Sequence, residues 1–521
     1  MQITASTMQV TTIPQNQLNP FNQQPLTEIK ADPDNVLAPI AQDVNVLLAQ
    51  SRQKPVIYEQ PYVDLVQLRK TQDEGKQASK MSQQLSSELS NIRSKKSPFS
   101  VKSFFSQIGS LSRETSEYKN EARSTRMLAS KATDAPALDF NNIAGKMQEM
   151  VTLRVQTKDG DIIDIKLQHN VGSNGDSLSF SFVVDGKLSA EEQDALEKLA
   201  NKFGEIGDEF FRTGSAALNG LAEFDKTQLK DFQIEFRTPK PSGGDATLTY
   251  DYSVDENTNT QHLIAKDGDD YRIDITTQLN DAFNITNSAF NQSLNIYMDI
   301  IRNSLDKHQA LSAEHSNWQS KQFILDSFSS MLGANKSSLE AQHASTTEKA
   351  LTAFSTGLPD FNAKINAPVF QDNRNPMLSE ALSLRLQQST EQELQSDGRL
   401  LTTQVNSWQQ SSSRIAGLPG SDRGDLETGN YVYKTIQEEH RTTRILDSLD
   451  GKINNMITEQ THDINNTEKT YFGFHLKENN TDQRNDRQVK QLTDEITKHK
   501  HLKQMFDGFQ YAAESTKNLF T

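Results

Sequence analysis

The feature that most constrains this fold is a switch in hydrophobic periodicity, from a helical repeat to alternation, between residues 147 and 277. The run from Ser177 to Asp185 (SLSFSFVVD) alternates polar and apolar side chains. Alternation of this kind places the apolar groups on one face of a β-strand. The sequence therefore predicts half-buried strands in this part of the chain.

Two Lys-Asp-Gly-Asp turns punctuate the alternating segments. They begin at Lys158 and Lys266, and an Ile-Asp-Ile triplet follows each, with two more intervening residues in the second. Asp-Gly readily adopts the positive φ angles of a tight hairpin turn. We predict a hairpin at each turn, and the pair is either a duplicated unit or a coincidence.

A helix is predicted between the strands. Ser189-Ala190-Glu191-Glu192 has the form of a capping box, in which the serine and Glu192 side chains satisfy each other's backbone N–H groups. The apolar residues that follow at helical spacing are Leu196, Leu199, Phe203, Ile206, Phe210 and Phe211. They predict one helix packed on the sheet.

The flanking regions lack this alternation, so the predicted fold class is α+β, with a compact β-rich domain between other regions. Residues 1–68 are rich in Gln, Asn, Thr and Pro and are predicted to be disordered or extended. The remaining predicted segments are a basic, amphipathic-helical segment (69–146), the β-rich α+β domain (147–280), a mainly helical region (281–416) and a helical bundle-like region (425–521).

A short amphipathic helix is predicted over residues 97–112, where Ser97-Pro98 has the pattern of a helix start. Its apolar face includes Phe104, Phe105 and Ile108. Residues 69–131 hold 13 Lys and Arg against 6 Asp and Glu, a net of +7, whereas residues 151–277 hold 13 against 24, a net of −11. We expect this helix to dock onto the acidic segment or a partner; weak membrane-surface contact and a solvated linker helix remain alternatives.

Helical spacing also marks the C-terminal half. The apolar residues from Phe290 to Leu305 predict a long helix that runs to about residue 331. A heptad-like seam is formed by Leu446, Leu449, Ile453 and Met456. It predicts a helical bundle with short coiled-coil character, and a last helix is predicted over 482–518.

Composition excludes several classes of site. The chain has no Cys, which excludes disulfides, thiolate zinc sites and cysteine nucleophiles. Its 54 basic and 69 acidic residues give a net charge of −15, which disfavours binding of nucleic acid over the whole surface. No apolar run is long enough for a transmembrane helix, and the start lacks a signal-peptide pattern. We expect a cytoplasmic location, with signal-less export as an alternative.

Motifs for catalysis and cofactors are weak. No phosphate-binding loop, nucleophile elbow or His-Glu-x-x-His pattern occurs, so no cofactor and no catalytic residue is predicted. The weak calcium candidates are the turn carboxylates Asp159, Asp161, Asp267 and Asp269. A hydrolase with a dispersed active site, or a calcium-dependent lectin-like binder, stays open as an alternative.

Residues 150–240 resemble an uncharacterised bacterial protein family. The resemblance rests on Asp159-Gly160, Gly186-Lys187-Leu188-Ser189, Glu191-Glu192, Phe210-Phe211 and Phe232 to Phe236. It implies a Gram-negative origin and a hairpin, strand, helix and returning strand, but no activity and no site residues.

The function predicted from these patterns is a non-enzymatic interaction or assembly protein, acting through amphipathic helices and the acidic β-rich domain. A protein partner or self-association is expected through Phe104, Phe105, Ile108, Leu446, Leu449, Ile453 and Met456. A signal-less exported or surface-associated protein is the second alternative, beside the hydrolase.

Overall fold

The strands of this protein form one antiparallel sheet, and helices cover part of one face. The computed structural model describes residues 8–10, 62–70, 75–95, 99–128, 145–172, 175–217, 224–240, 243–268, 271–279, 287–309, 318–333, 356–372, 375–421, 424–450 and 452–491. Within these ranges lie sixteen strands and six helices.

The strands in chain order are β1 (Met8–Val10), β2 (Tyr62–Lys70), β3 (Glu117–Leu128), β4 (Gly145–Thr157), β5 (Ile162–Gly172), β6 (Gly175–Asp185), β7 (Leu229–Pro239), β8 (Asp245–Asp255), β9 (Thr260–Asp267), β10 (Tyr271–Gln278), β11 (Phe361–Asp372), β12 (Asn375–Leu394), β13 (Leu400–Ala416), β14 (Tyr431–Leu449), β15 (Lys452–Phe472) and β16 (His475–Gln491). The helices are α1 (Lys76–Lys95), α2 (Val101–Phe105), α3 (Ile108–Ser112), α4 (Ala190–Thr213), α5 (Asn287–Gln309) and α6 (Trp318–Gly333).

The order across the sheet is β1-β2-β3-β6-β5-β4-β7, followed by β8 to β16 in sequence. Every described pairing is antiparallel, and from β7 onward each strand pairs with the next one along the chain. The helices interrupt this order in three places: α1 to α3 follow β2, α4 follows β6, and α5 and α6 follow β10. From β11 onward each strand therefore follows its neighbour in the sheet with no helix between them.

Alternation determines which face of the sheet each residue occupies. In β5, Ile163, Ile165 and Leu167 are buried, whereas Asp164 and Lys166 between them are exposed. The buried face packs against the helices: α1 lies on β2, β3 and β6, α4 on β4 and β7, α6 on β9 and β10, and α5 on β12 and β13. The predicted half-buried strands and both Lys-Asp-Gly-Asp hairpins are present.

Helix α4 begins as the sequence predicts. The Ser189 hydroxyl accepts a hydrogen bond from the Glu192 backbone N–H, and the Glu192 carboxylate accepts one from the Ser189 N–H at 2.8 Å. The helix ends at Gly214, whose φ of +82° suits glycine. Of the predicted apolar set, Phe211 is half-buried and the others are buried.

The basic segment docks onto the acidic one within the chain. Helix α2 packs along α4, with Lys102 Nζ 3.0 Å from Glu205 Oε1. Arg113, just after α3, contacts Asp194 and Glu197 on the same helix. The Ser100 hydroxyl caps α2 by accepting from the Ser103 N–H. The predicted start at Ser97-Pro98 lies outside the described residues, and 97–112 contains two short helices rather than one.

The predicted fold class is wrong in the C-terminal half, where the helical regions 281–416 and 425–521 were expected. After α6 the described chain forms long strands, from β11 to β16. The heptad-like residues fall on hairpin β14–β15, where Leu446 lies directly opposite Met456. The helical bundle and the coiled coil are therefore wrong, because apolar spacing across a turn resembles a helical repeat.

Other helical predictions change in extent. The long helix expected from Phe290 to about residue 331 is the separate helices α5 and α6. The final helix expected over 482–518 is wrong for 482–491, which belong to β16, and the rest lies outside the described residues. Residues 69–146 contain β2 and β3 as well as helices. Most of the segment 1–68, predicted to be disordered, also lies outside, although β1 and β2 take residues from it.

No helix in the described ranges combines the length and apolar character needed to span a membrane.

Close packing between α2 and α4 provides a test of the fold. A Cβ atom added at Gly204 would lie 2.8 Å from the Lys102 Cα. Helix propensity alone favours Gly→Ala by about 1 kcal/mol, but overpacking against backbone costs about 1–3 kcal/mol. We expect Gly204→Ala to lower the free energy of unfolding by about 1 kcal/mol, measured by urea denaturation. The exposed α4 control Lys202→Ala should change it little, and a stabilised Gly204→Ala protein would contradict this packing.

Candidate functional site

The inward face of the sheet changes from apolar to polar between β12 and β13. One row of directly opposed residues crosses it from β8 to β15, and its members in order are Tyr252, Leu263, Ile275, Ala363, Leu386, Trp408, His440 and His462. The first five are buried and are aliphatic or aromatic. The change at Trp408 means that a different set of interactions holds the last strands.

We call the buried polar side chains at this change the polar ladder: Gln388, Gln404, Asn406, Trp408, His440 and Arg444. The Asn406 amide Nδ2 donates to the Gln388 Oε1 at 2.8 Å and to the Tyr297 hydroxyl of α5 at 3.1 Å. Arg444 Nη1 donates to the Asn406 Oδ1 at 2.7 Å. Since buried polar groups need partners, these bonds fix β12, β13 and β14 relative to α5.

Arg444 carries a charge inside this face. Burial lowers the pKa of its guanidinium from 12.5 to about 10, so it stays protonated at neutral pH. The amide oxygens of Gln404 and Asn406 lie 3.4 and 2.7 Å from its Nη1 and stabilise the charge. The ladder thus holds a buried cation by means of amide dipoles.

Aromatic rings continue the ladder toward β15. The Trp408 and His440 rings stack with centroids 6.1 Å apart, and His462 packs edge-on to His440 at 5.8 Å. His462 Nε2 lies 2.9 Å from the Glu438 Oε1, and Glu438 is buried. Burial, followed by the nearby His462 and Arg444, lowers the pKa of His440 to about 4. His440 is therefore neutral at physiological pH, which suits its stacking against Trp408.

In the described structure Trp408 Nε1 and Thr442 Oγ1 are among the buried atoms of β13 to β15 that have no hydrogen-bond partner. Both belong to side chains packed within the sheet face. We interpret the polar ladder as the structural support of the last strands.

Beyond the ladder, β15 and β16 form what we call the terminal hairpin. Every residue of β16 is exposed, and so are Phe472 and Phe474 at the turn. β16 pairs with β15 along its length, and its other side, here the terminal edge, pairs with no described strand. Among the described strands none lies along this edge, which spans seventeen residues, about 58 Å at 3.4 Å per residue.

The terminal hairpin is anchored at its turn. The Gly473 N–H donates to the Asn430 Oδ1 at 2.9 Å, and the Phe474 N–H donates to the Gly429 carbonyl at 3.1 Å. The Tyr431 and Tyr471 rings stack with centroids 4.8 Å apart. These contacts join the turn of the hairpin to the β13–β14 connection.

A cleft of about 480 Å³ crosses β13 to β16 beside this edge. Its lining includes the carboxylates Glu438, Glu439 and Asp463 together with amide side chains and Arg484. No group of three or more His, Asp or Glu side chains in the described ranges is placed to hold a metal ion.

The structure places the predicted interaction residues inside the chain. Phe104, Phe105 and Ile108 are fully buried in the core, where the Phe104 ring packs on Phe180. Leu446 and Met456 are buried on the sheet face, whereas Leu449 and Ile453 are half-buried near the β14–β15 turn. These side chains stabilise the fold and do not form an exposed apolar face.

The calcium candidates lie on two hairpins that β7 and β8 separate in the sheet. Asp159 is exposed and Asp161 is half-buried in the β4–β5 turn. Asp267 is buried, and its Oδ2 accepts hydrogen bonds from the Ser215 and Ser320 hydroxyls at 2.6 and 2.5 Å. Asp269 lies outside the described residues. The structure does not bring these carboxylates together.

The terminal edge was missed because its sequence was interpreted as a helix. A signal for it was present: Gly473 interrupts Phe472 and Phe474 at a turn, and Asp450-Gly451 repeats the hairpin pattern seen at Asp159-Gly160.

Comparisons with known proteins add no relative: no protein-family model matches the chain, and no curated protein or solved structure is significantly similar to it.

His440 gives the polar ladder a testable pH dependence. In the unfolded chain its pKa is near 6.5, so acidification from pH 6.5 to about 4 protonates the unfolded chain first and stability falls. The two pKa values correspond to about 3 kcal/mol of lost stability by pH 4. Between pH 7 and pH 4 the free energy of unfolding should fall by about 3 kcal/mol less in His440→Gln than in the original chain, measured by urea denaturation.

The neighbouring control is Thr442→Val, which keeps His440 and replaces a buried hydroxyl that lacks a partner in the described structure. It should retain the full pH dependence. Equal pH dependence of the His440→Gln and original proteins would show that His440 does not have this lowered pKa.

Proposed function

We propose that this protein is a non-enzymatic interaction or assembly protein whose contact element is the terminal edge. The observation that carries the proposal is a seventeen-residue strand with one side paired to β15 and every residue exposed. The strand at the opposite end of the sheet, β1, is much shorter, with three described residues.

An open strand edge binds by a defined physical mechanism. Its outward N–H and C=O groups pair with an extended segment of another chain, and alternate side chains determine which segment fits. Because pairing with β15 and the anchored turn hold β16 extended before binding, little backbone entropy is lost on this side. Preorganisation of the edge therefore favours strand addition.

The side chains of β16 suit selective pairing rather than general aggregation. Seven of them are charged: Lys477, Glu478, Asp482, Arg484, Asp486, Arg487 and Lys490. Charged edges repel apolar strands and accept only a segment of complementary pattern. We infer a specific partner rather than a broad set of partners.

Photo-crosslinking tests the proposal. A photoreactive residue is placed in the full chain at Asn479, Thr481, Gln483 or Asn485, one position at a time, and the protein is illuminated in its host. Because opposed residues in a ladder advance together, strand addition predicts that each two-residue step along β16 moves the cross-linked position on the bound segment by two residues. Mass spectrometry of the joined peptides reads these positions.

The control is the same photoreactive residue at Lys198, on the exposed face of α4. It should give no such progression. If none of the four β16 positions forms an adduct, or if all four join the same partner position, strand addition at the terminal edge is ruled out.

A further inference from the structure

The charges of β16 are complementary to those of the same strand turned end for end. When a strand pairs antiparallel with its own copy about a two-fold axis, the numbers of two facing residues always add up to the same value, which the register sets. Since outward-facing backbone groups alternate along the strand, the two opposed residues must have the same parity, so one residue lies on the axis and faces itself. For β16 the full-length overlap places Gln483, the middle residue, on the axis.

In this register Asp482 of each copy faces Arg484 of the other, on both sides of the axis. No other charged residue of β16 then lies directly opposite a charge, because Lys477 faces Val489, Glu478 faces Gln488 and Asp486 faces Asn480. Opposite charges that face each other across strands stabilise a pairing, and like charges destabilise it. The full-length register thus has two favourable pairs and no directly opposed like charges.

Neighbouring registers are worse. With the axis on Asp482, this residue faces its own copy and Glu478 faces Asp486. With the axis on Arg484, that residue faces its own copy and Asp482 faces Asp486. Shifts to Thr481 or Asn485 also give two favourable pairs, Glu478 with Arg484 and Arg484 with Asp486 respectively, but leave only thirteen overlapping residues. The charge pattern therefore excludes the one-residue shifts, and the strand length favours full overlap over the two-residue shifts.

We infer that the strand added to the terminal edge is β16 of a second copy of this chain, in an antiparallel pairing centred on Gln483. This inference rests on the proposed function and names its partner. The two-fold axis makes the interface isologous, with the same surface used by both copies, and the two sheets become one continuous sheet. Such a contact closes on itself and consumes both long edges, so assembly ends at the dimer.

Charge reversal tests the register. Asp482→Arg alone places Arg opposite Arg484 twice, and Arg484→Asp alone places Asp opposite Asp482 twice. From the usual worth of cross-strand charge pairs, each single reversal should raise the dimer dissociation constant by roughly tenfold to a hundredfold. The double variant Asp482→Arg, Arg484→Asp restores opposite charges and should return the constant to near the original value.

Analytical ultracentrifugation of the full chain over a range of concentrations gives these constants. Glu391→Arg, at an exposed position of β12, is the control because it changes the net charge as Asp482→Arg does. It should leave dimerisation unchanged. Thermal unfolding of each variant shows whether the fold is retained.

A lysine cross-link tests the register of the proposed dimer independently. Lys477 and Lys490 of one chain are separated by thirteen residues of extended strand, roughly 44 Å, beyond a short cross-linker. In the proposed dimer Lys477 faces Val489 of the copy and lies beside its Lys490. We expect a Lys477–Lys490 cross-link that joins isotopically labelled and unlabelled copies.

The outcomes separate this inference from the proposed function. A chain that stays monomeric while the photo-crosslinks progress along a different protein overturns the second-copy inference and leaves strand addition standing. A dimer that ignores both single reversals overturns the register and hence the inference. A monomer that shows no strand addition at any β16 position overturns both the second-copy inference and the proposed function. So does a chain whose own further segment covers the terminal edge.

Discussion

The antiparallel register is the constraint on which the rest of this structure depends. Directly opposed residues form rows across the sheet from β8 to β15, so a residue's parity within its strand decides its face wherever no bulge intervenes, as one does near Ala367 and near Asp447. A slip of one residue in any strand would exchange the buried and exposed sets. Helices occupy the inward face because apolar side chains collect there.

This face changes character along the sheet, and the change separates support from contact. Helices pack on it between β2 and β13, and up to β12 its buried groups are mostly aliphatic and aromatic. From β13 onward Asn406, Trp408, His440 and Arg444 are held by hydrogen bonds and ring stacking. The sheet therefore extends past its apolar core to β16, whose outer edge pairs with no described strand.

Sequence reasoning succeeded where the strands alternate and failed where both faces are polar. Ile163, Ile165 and Leu167 against Asp164 and Lys166 predict a strand directly, and the capping box at Ser189 predicts the start of α4. In β13 to β15 many inward positions hold polar residues such as Gln404, Asn406 and His440, and β16 is exposed throughout, so the hydrophobic period that identifies a strand is interrupted. Leu446 and Met456, which face each other across a turn, then imitate helical spacing. The Asp-Gly turns at 397–398 and 450–451 carried the stronger signal. No periodicity reveals which strand edge remains open, because that depends on the order of all the strands.

Hydrogen–deuterium exchange of the β16 amides tests the central claim most directly. In the dilute chain we predict slow exchange for the amides bonded to β15 and fast exchange for the alternate ones that face the terminal edge. The fast set should slow as the protein concentration rises and the edge pairs, while the amides of β8 stay unchanged. Protection of every β16 amide in the dilute chain, or fast exchange of the outward set at every concentration, would contradict the account.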